Sequence, residues 1–271
     1  MQVTRLAPSA RLAPFVRGFT IVETTAAATR ALLPERGLVI GFRFRGAAYL
    51  RDDRGPQRVA NASITGIQGA TRHMATAAHS GVVLAMFRPA GAMRFFAAPL
   101  HELFGRTRAL DELVPRAELA CVEDQVAAAR DTAERVPHLE RFLLARLSPA
   151  ADPVVEAAVA AIGAAHGTIR IAPLARRLGI SQDPLEKRFR RAIGASPKQL
   201  ASLVRLQRVI ASPPAGASWS ERAIAAGYFD QSHFIREFRA MTGQAPTQFF
   251  RAGAFCGAGD APAPAPTAIA M

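Results

Sequence analysis

Two glycine-centred turns, each joining a short apolar helix to a longer amphipathic one, repeat inside residues 171–243 and restrict what this chain can become. In the first, Leu174 and Leu178 supply the packing face of a short helix and Gly179 supplies the turn, where a left-handed backbone is commonly needed. Ser181 is placed to cap a second helix, and Pro184 is tolerable because it falls in that helix's first turn. Leu185, Phe189 and Ile193 then recur every four residues, so one face turns inward and the rest stays polar. The second unit runs from Trp219 to Gly243, with Gly227 as the turn, Asp230 as the cap and Phe234, Phe238 and Met241 as the inward face. Ser181 and Asp230 lie 49 positions apart, and a further helix, Pro197 to about Ala211, is read between the units with Leu200, Leu203, Val204, Leu206 and Val209 available for packing.

The duplication has a geometric meaning. A recognition helix fits the roughly 12 Å major groove of DNA and reads base edges with residues near its N-terminus. Two such helices on one chain can enter successive groove segments roughly 34 Å apart on one face of the duplex. A bridging helix of about 15 residues spans about 22 Å, and the units themselves fill the remainder.

The rest of the chain is organised differently. Asp152-Pro153 is a strong helix start, and Val155, Val159 and Ile162 follow on one face, so residues 152–251 read as all helix. Residues 1–150 read as mixed. Leu38 to Phe44, Tyr49-Leu50, Val59 to Ile67 and Val82 to Phe87 are strand candidates. Met93, Phe96 and Leu100 then have helical spacing, and Glu118 to Arg135 and His138 to Leu147 read as two helices broken at Pro137. A Pro-bearing seam, Ser148 to Pro153, separates the parts, and residues 252–271 read as a disordered Ala/Pro-rich tail.

Composition excludes more than it selects. The net charge of +13 fits a nucleic-acid binder, an anionic-surface binder or an ordinary Arg-rich protein. It does not locate a surface, because residues 1–151 and 152–251 each carry +7. Two cysteines, Cys121 and Cys256, rule out a disulfide framework or a Cys-rich zinc module, and Cys121 reads as a buried small hydrophobe on a helix. His73 and His79 have no third partner at ligand spacing, and His101-Glu102 lacks the second His of a zinc-protease motif. No signal peptide or bilayer-spanning run is read, and the default is a cytoplasmic protein.

Residues 152–251 resemble the DNA-binding domain of the AraC/XylS family of bacterial transcription regulators. The resemblance is carried by Gly227-Tyr-Phe-Asp-Gln-Ser-His-Phe-Ile-Arg-Glu-Phe238, Gly243-Gln-Ala-Pro246 and Phe250-Arg251. Leu174-Ala175, Leu178-Gly179, Ser181, Leu185, Phe189, Gly194, Ser196-Pro197 and Arg205 carry its first half. Leu12-Ala-Pro-Phe15 and Phe87-Arg-Pro-Ala-Gly91-Ala are similar to pieces of the incomplete β-barrel sensor half of a subgroup. The resemblance implies an α+β N-terminal domain, an incomplete β-barrel with helices, before an all-α C-terminal domain with two helix-turn-helix units. It further implies sensing of an unidentified small molecule, contact with RNA polymerase and assembly into a homodimer, for which the Glu118–Arg135 helix is a candidate surface. Two features depart from the family: Asp183 and Glu186 put acid on the first recognition helix, and Arg222 stands where an apolar residue is usual, so it must snorkel or pair.

The candidate DNA-binding residues are Gln182, Asp183, Glu186, Lys187, Arg190 and Arg191 in the first unit, and Gln231, Ser232, His233, Arg236 and Arg239 in the second. The plain alternative for all of them is a solvated helix face. Gln231 and Arg236 are expected to contact bases or phosphates, since Gln suits adenine N6/N7 and Arg suits guanine O6/N7, whereas Lys187, Arg190 and Arg191 suit phosphates. An acid such as Asp183 or Glu186 can accept from cytosine N4 but repels phosphate. The organisation expected is a sensor and dimerisation domain over 1–150, a DNA-binding domain over 151–251 and the tail over 252–271. The function expected is sequence-specific regulation of transcription on double-stranded DNA, with no catalytic residue, cofactor or metal. The rival readings are a non-specific architectural DNA binder and a DNA-repair alkyltransferase-type regulator. Neither cysteine sits in a motif for the latter.

Overall fold

Alternation in the N-terminal part produces sheet, and 3.6-residue periodicity in the C-terminal part produces helix. The computed structural model describes residues 1–52, 55–212 and 218–252. Ten strands come first: β1 (Gln2–Leu6), β2 (Val16–Thr24), β3 (Ala28–Leu32), β4 (Val39–Arg45), β5 (Ala48–Asp52), β6 (Gly55–Arg58), β7 (Ala62–Thr65), β8 (Arg72–Thr76), β9 (Ser80–Phe87) and β10 (Thr107–Ala109). They form two antiparallel sheets, one of six strands in the order β1-β2-β9-β4-β7-β10 and one of four in the order β3-β8-β5-β6. The two sheets do not close into a barrel.

The two faces of the larger sheet differ. Phe19, Ile21, Ile40, Phe42, Ile64, Val83 and Ala85 share one face and are almost wholly buried. That face lies under helices α1 (Arg116–Ala128) and α2 (Thr132–Arg146), with the Phe42 and Phe142 rings edge-on at 5.7 Å. On the other face Val39, Arg43, Val82, Leu84 and Met86 remain half-buried. The smaller sheet reaches that second face where Arg72 Nη1 on β8 donates to Thr107 Oγ1 on β10 at 2.7 Å. Arg43 Nε on β4 and Arg72 Nε on β8 are each buried without a hydrogen-bond partner among the described residues. Burial lowers the pKa of both guanidinium groups, that of Arg72 to about 10.

Four local expectations are corrected here. The strand read over Val59 to Ile67 is only Ala62–Thr65. Met93, Phe96 and Leu100 do not share one helix. They lie on or beside two short 3-10 turns, Ala92–Arg94 and Leu100–Leu103, split by Pro99, which disfavours helical backbone at the residue before it. Pro137 does not separate two helices but sits inside α2. The break falls at Ala129–Asp131, where Asp131 Oδ1 accepts from Glu134 N at 3.0 Å and caps the new helix. Cys121 is exposed on α1, not buried. Cys256 and all but the first residue of the 252–271 tail lie outside the described residues.

Seven further helices follow among the described residues: α3 (Pro153–Ala164), α4 (Ile171–Arg177), α5 (Gln182–Ile193), α6 (Pro197–Ala211), α7 (Trp219–Ala225), α8 (Gln231–Thr242) and α9 (Pro246–Ala252). They share one continuous apolar core with the strands and with α1 and α2. Polar contacts cross the same boundary. Gln207 Nε2 on α6 donates to Pro34 O at 3.1 Å, and Thr71 donates to Met241 O from its backbone N at 2.8 Å and its Oγ1 at 3.1 Å. At the C-terminus of α5, Gly194 has φ +90°, and a Cβ there would stand 2.9 Å from Leu100 O. A bare α carbon is therefore needed for both the backbone turn and the close approach.

Candidate nucleic-acid interface

Each unit places an amphipathic helix with its apolar stripe sealed and its polar stripe open. In the first, Gly179 turns the chain at φ +70° between α4 and α5. Leu185, Phe189 and Ile193 are fully buried, which leaves Gln182, Asp183, Lys187, Arg190 and Arg191 exposed and Glu186 half-buried. In the second, Gly227 turns at φ +82° between α7 and α8. Phe234 and Phe238 are fully buried and Met241 nearly so, leaving Gln231, Ser232, Arg236 and Arg239 exposed and His233 half-buried. All eleven residues read from the sequence thus lie on the open flanks of α5 and α8.

The caps differ between the units. Asp230 Oδ1 accepts from His233 N at 2.7 Å at the start of α8. Ser181 occupies the corresponding position before α5 with extended backbone, but its hydroxyl makes no capping bond, contrary to the sequence expectation. The reason is Pro184. It stands three residues on, where His233 stands in the second unit, and it has no N–H to donate. Asp230→Ala is therefore expected to lower stability by about 1 kcal/mol, whereas Ser181→Ala leaves it nearly unchanged. Urea unfolding of the two variants checks this, and equal losses would contradict it.

The open flanks also differ in charge. On α5, Gln182 Nε2 donates to Glu186 Oε1 at 3.0 Å, and Arg190 Nη2 lies 3.9 Å from Glu186 Oε2. Three of the first unit's outward side chains therefore engage one another. On α8 the acid is drawn inward. Glu237 pairs with Arg205 of α6 at 3.1 Å and with His233 Nε2 at 3.3 Å. Arg205 also donates to Gly167 O at 2.7 Å and lies 5.1 Å from the Tyr228 ring centre, so α6 is tied to the second unit. Burial first, and the Glu237 carboxylate second, push the Tyr228 phenol up to about 12. The stripe Gln231, Ser232, Arg236 and Arg239 is left without a carboxylate of its own, and so is suited to an anionic partner.

Arg222 resolves as snorkelling. Its guanidinium lies 5.1 Å from the Trp219 ring centre and 5.6 Å from that of Phe250. It donates to Ser212 O and, at 3.5 Å, to Val209 O at the end of α6. The cation meets aromatic faces and helix-end carbonyls, both favourable for positive charge.

Two basic residues not singled out from the sequence join this region. An open cleft of about 530 Å³ beside the start of α5 is lined by Arg170, Lys198 and Arg205 together with Gln182. Arg170 precedes α4 and Lys198 opens α6, so no single helix period links them and the cleft arises only from tertiary packing. Among the described residues no group of three or more His, Cys, Asp or Glu is placed to hold a metal, and no helix is long and apolar enough to cross a membrane.

Residues 174–252 match a family described as a helix-turn-helix domain, and residues 4–108 match one described as a domain of unknown function. No curated protein matches the chain. Among solved structures, ToxT from Vibrio cholerae is similar at 13% identity, over 86% of this chain and 97% of that one, with a TM-score of 0.44. A probable AraC family transcriptional regulator from Rhodopseudomonas palustris is 27% identical over 37% of this chain and 97% of that one, with a TM-score of 0.33. The C-terminal domain of AraT, a response regulator from Geobacillus stearothermophilus, is 21% identical over 39% of this chain and 89% of that one, with a TM-score of 0.36.

Proposed function

Residues 174–252 belong to the AraC-type helix-turn-helix family, and from this premise we propose that the chain is a sequence-specific regulator of transcription whose α5 and α8 read adjacent major-groove segments of double-stranded DNA. The observation that carries the reading is the pairing of two sealed amphipathic helices, joined through α6, each with its polar stripe exposed. Gln231 and Arg236 meet adenine and guanine edges, with Ser232 and His233 beside them. Lys187, Arg190, Arg191 and Arg239 hold phosphates and fix the register. Gln182, Asp183 and Glu186, already occupied with one another or acidic, read sparingly. The division of labour is a sensor and dimerisation domain over 1–150 and a DNA-binding domain over 151–251, without catalysis, acting in the cytoplasm and in contact with RNA polymerase.

The test is binding of the full chain to duplexes selected from a random pool, at two salt concentrations. Lys187→Ala should weaken binding to all duplexes alike and reduce the salt slope by about 1. A wild-type protein that binds all duplexes equally would establish the architectural rival instead. Control by a small molecule rests on the half-buried second face of the larger sheet, where Arg43 holds an unpartnered buried Nε–H group. A compound that shifts operator affinity of the wild type and not of Arg43→Leu would support that part. A shift that survives in the variant would refute this placement of it.

A further inference from the structure

The two units correspond residue by residue except at one point. Gly179 N donates to Arg176 O, and Ile180 N donates to Ala175 O at 3.1 Å. Forty-eight positions on, Gly227 N donates to Ile224 O and Tyr228 N donates to Ala223 O at 3.0 Å. The correspondence then shifts. The N-cap of α5 is Ser181, directly after Ile180, whereas the N-cap of α8 is Asp230, two places after Tyr228. The second turn therefore holds one additional residue, and that residue is Phe229.

Phe229 is 90% exposed, while its neighbour Tyr228 is 5% exposed and belongs to the core. The inserted ring is absent from the core cluster, and the first unit closes the same turn without it. Folding of the turn therefore does not explain an aromatic side chain here. Its position does suggest a use. Phe229 immediately precedes Asp230 and Gln231, at the N-terminal end of α8, which is the end of a recognition helix that meets base edges. A phenyl ring offers no hydrogen bond, and the apolar feature that the major groove presents is the thymine C5-methyl group.

Resting on the DNA-binding reading above, we infer that Phe229 is a specificity-determining residue that packs on a thymine methyl at a base pair next to the one met by Gln231. The first unit, lacking the insertion, has no counterpart, so the preference belongs to one half of the operator.

The experiment uses the full chain and its selected operator, with each thymidine replaced singly by deoxyuridine, which removes only the methyl. Burial of one methyl-sized group is worth about 0.8 kcal/mol, about fourfold in affinity. The wild type should lose about fourfold at one position in the half of the operator bound by α8. Phe229→Ala should bind the thymidine and deoxyuridine duplexes equally, with an unchanged urea midpoint. Sensitivity to deoxyuridine that persists in Phe229→Ala, or is absent from the wild type, overturns the inference while leaving the DNA-binding reading intact. Unaltered DNA binding by Phe229→Ala with lost transcriptional output assigns the ring to a protein partner and also overturns it. A wild type without sequence preference removes the underlying reading, and this inference with it.

Discussion

Phe238→Ala is expected to lower the unfolding free energy by about 3–5 kcal/mol, the usual cost of emptying a fully buried phenylalanine site. Phe238 has no exposed surface. Its ring meets Phe234 at 5.5 Å, Phe249 at 5.1 Å and Phe250 at 6.1 Å between centres, so α8 is held to α9 through a single aromatic cluster. Marginal stabilities of about 5–15 kcal/mol make such a loss a large fraction of the total. Operator binding should fall with it, because α8 is set by the face that the mutation hollows out. Urea unfolding followed by circular dichroism measures the loss, and Phe238→Leu, which refills most of the volume, should recover much of it. A loss below about 1 kcal/mol would mean that this cluster does not position α8.

Arg236→Ala is expected to act on specificity and leave the fold alone. Arg236 is exposed in the second turn of α8 and makes no contribution to the apolar stripe. If it is bidentate to guanine, truncation costs about 1–3 kcal/mol at one base pair and relaxes the choice there. Competition binding with single base-pair variants of the operator reads this directly. Weakening that is equal for every duplex would make Arg236 a phosphate contact. The contrast with Phe238 is useful, since one variant loses structure and the other only selectivity.

Much of the helical part was legible in the sequence. The expected span Pro197 to Ala211 is the observed α6, because Ser196-Pro197 and Gln199 form a local capping box and the apolar period continues without a break. The inward faces of α5 and α8 followed from four-residue spacing for the same reason. Where a short-range signal fails, a second local rule overrides it. Ser181 could not cap because Pro184 removed the donor, and the break assigned to Pro137 belonged to Asp131. Strand β2 carries a β-branched and aromatic run, Phe19-Thr-Ile-Val22, but no turn signal sets it off from its neighbours, while β3 and β8 carry weaker patterns.

By itself the sequence determined the duplicated turn-and-helix units, their inward faces and the Asp230 cap, because helix period and capping act over three or four residues. Only the tertiary structure decided which strands pair and which face of the larger sheet lies under α1 and α2. It also brought Arg170 and Lys198 to one cleft, laid Arg222 on Trp219 and Phe250, and left Phe229 outside the core. These outcomes depend on contacts between distant parts of the chain. Thr71 and Met241, 170 positions apart and joined by two hydrogen bonds to one carbonyl, carry no mark in the local pattern that would have paired them.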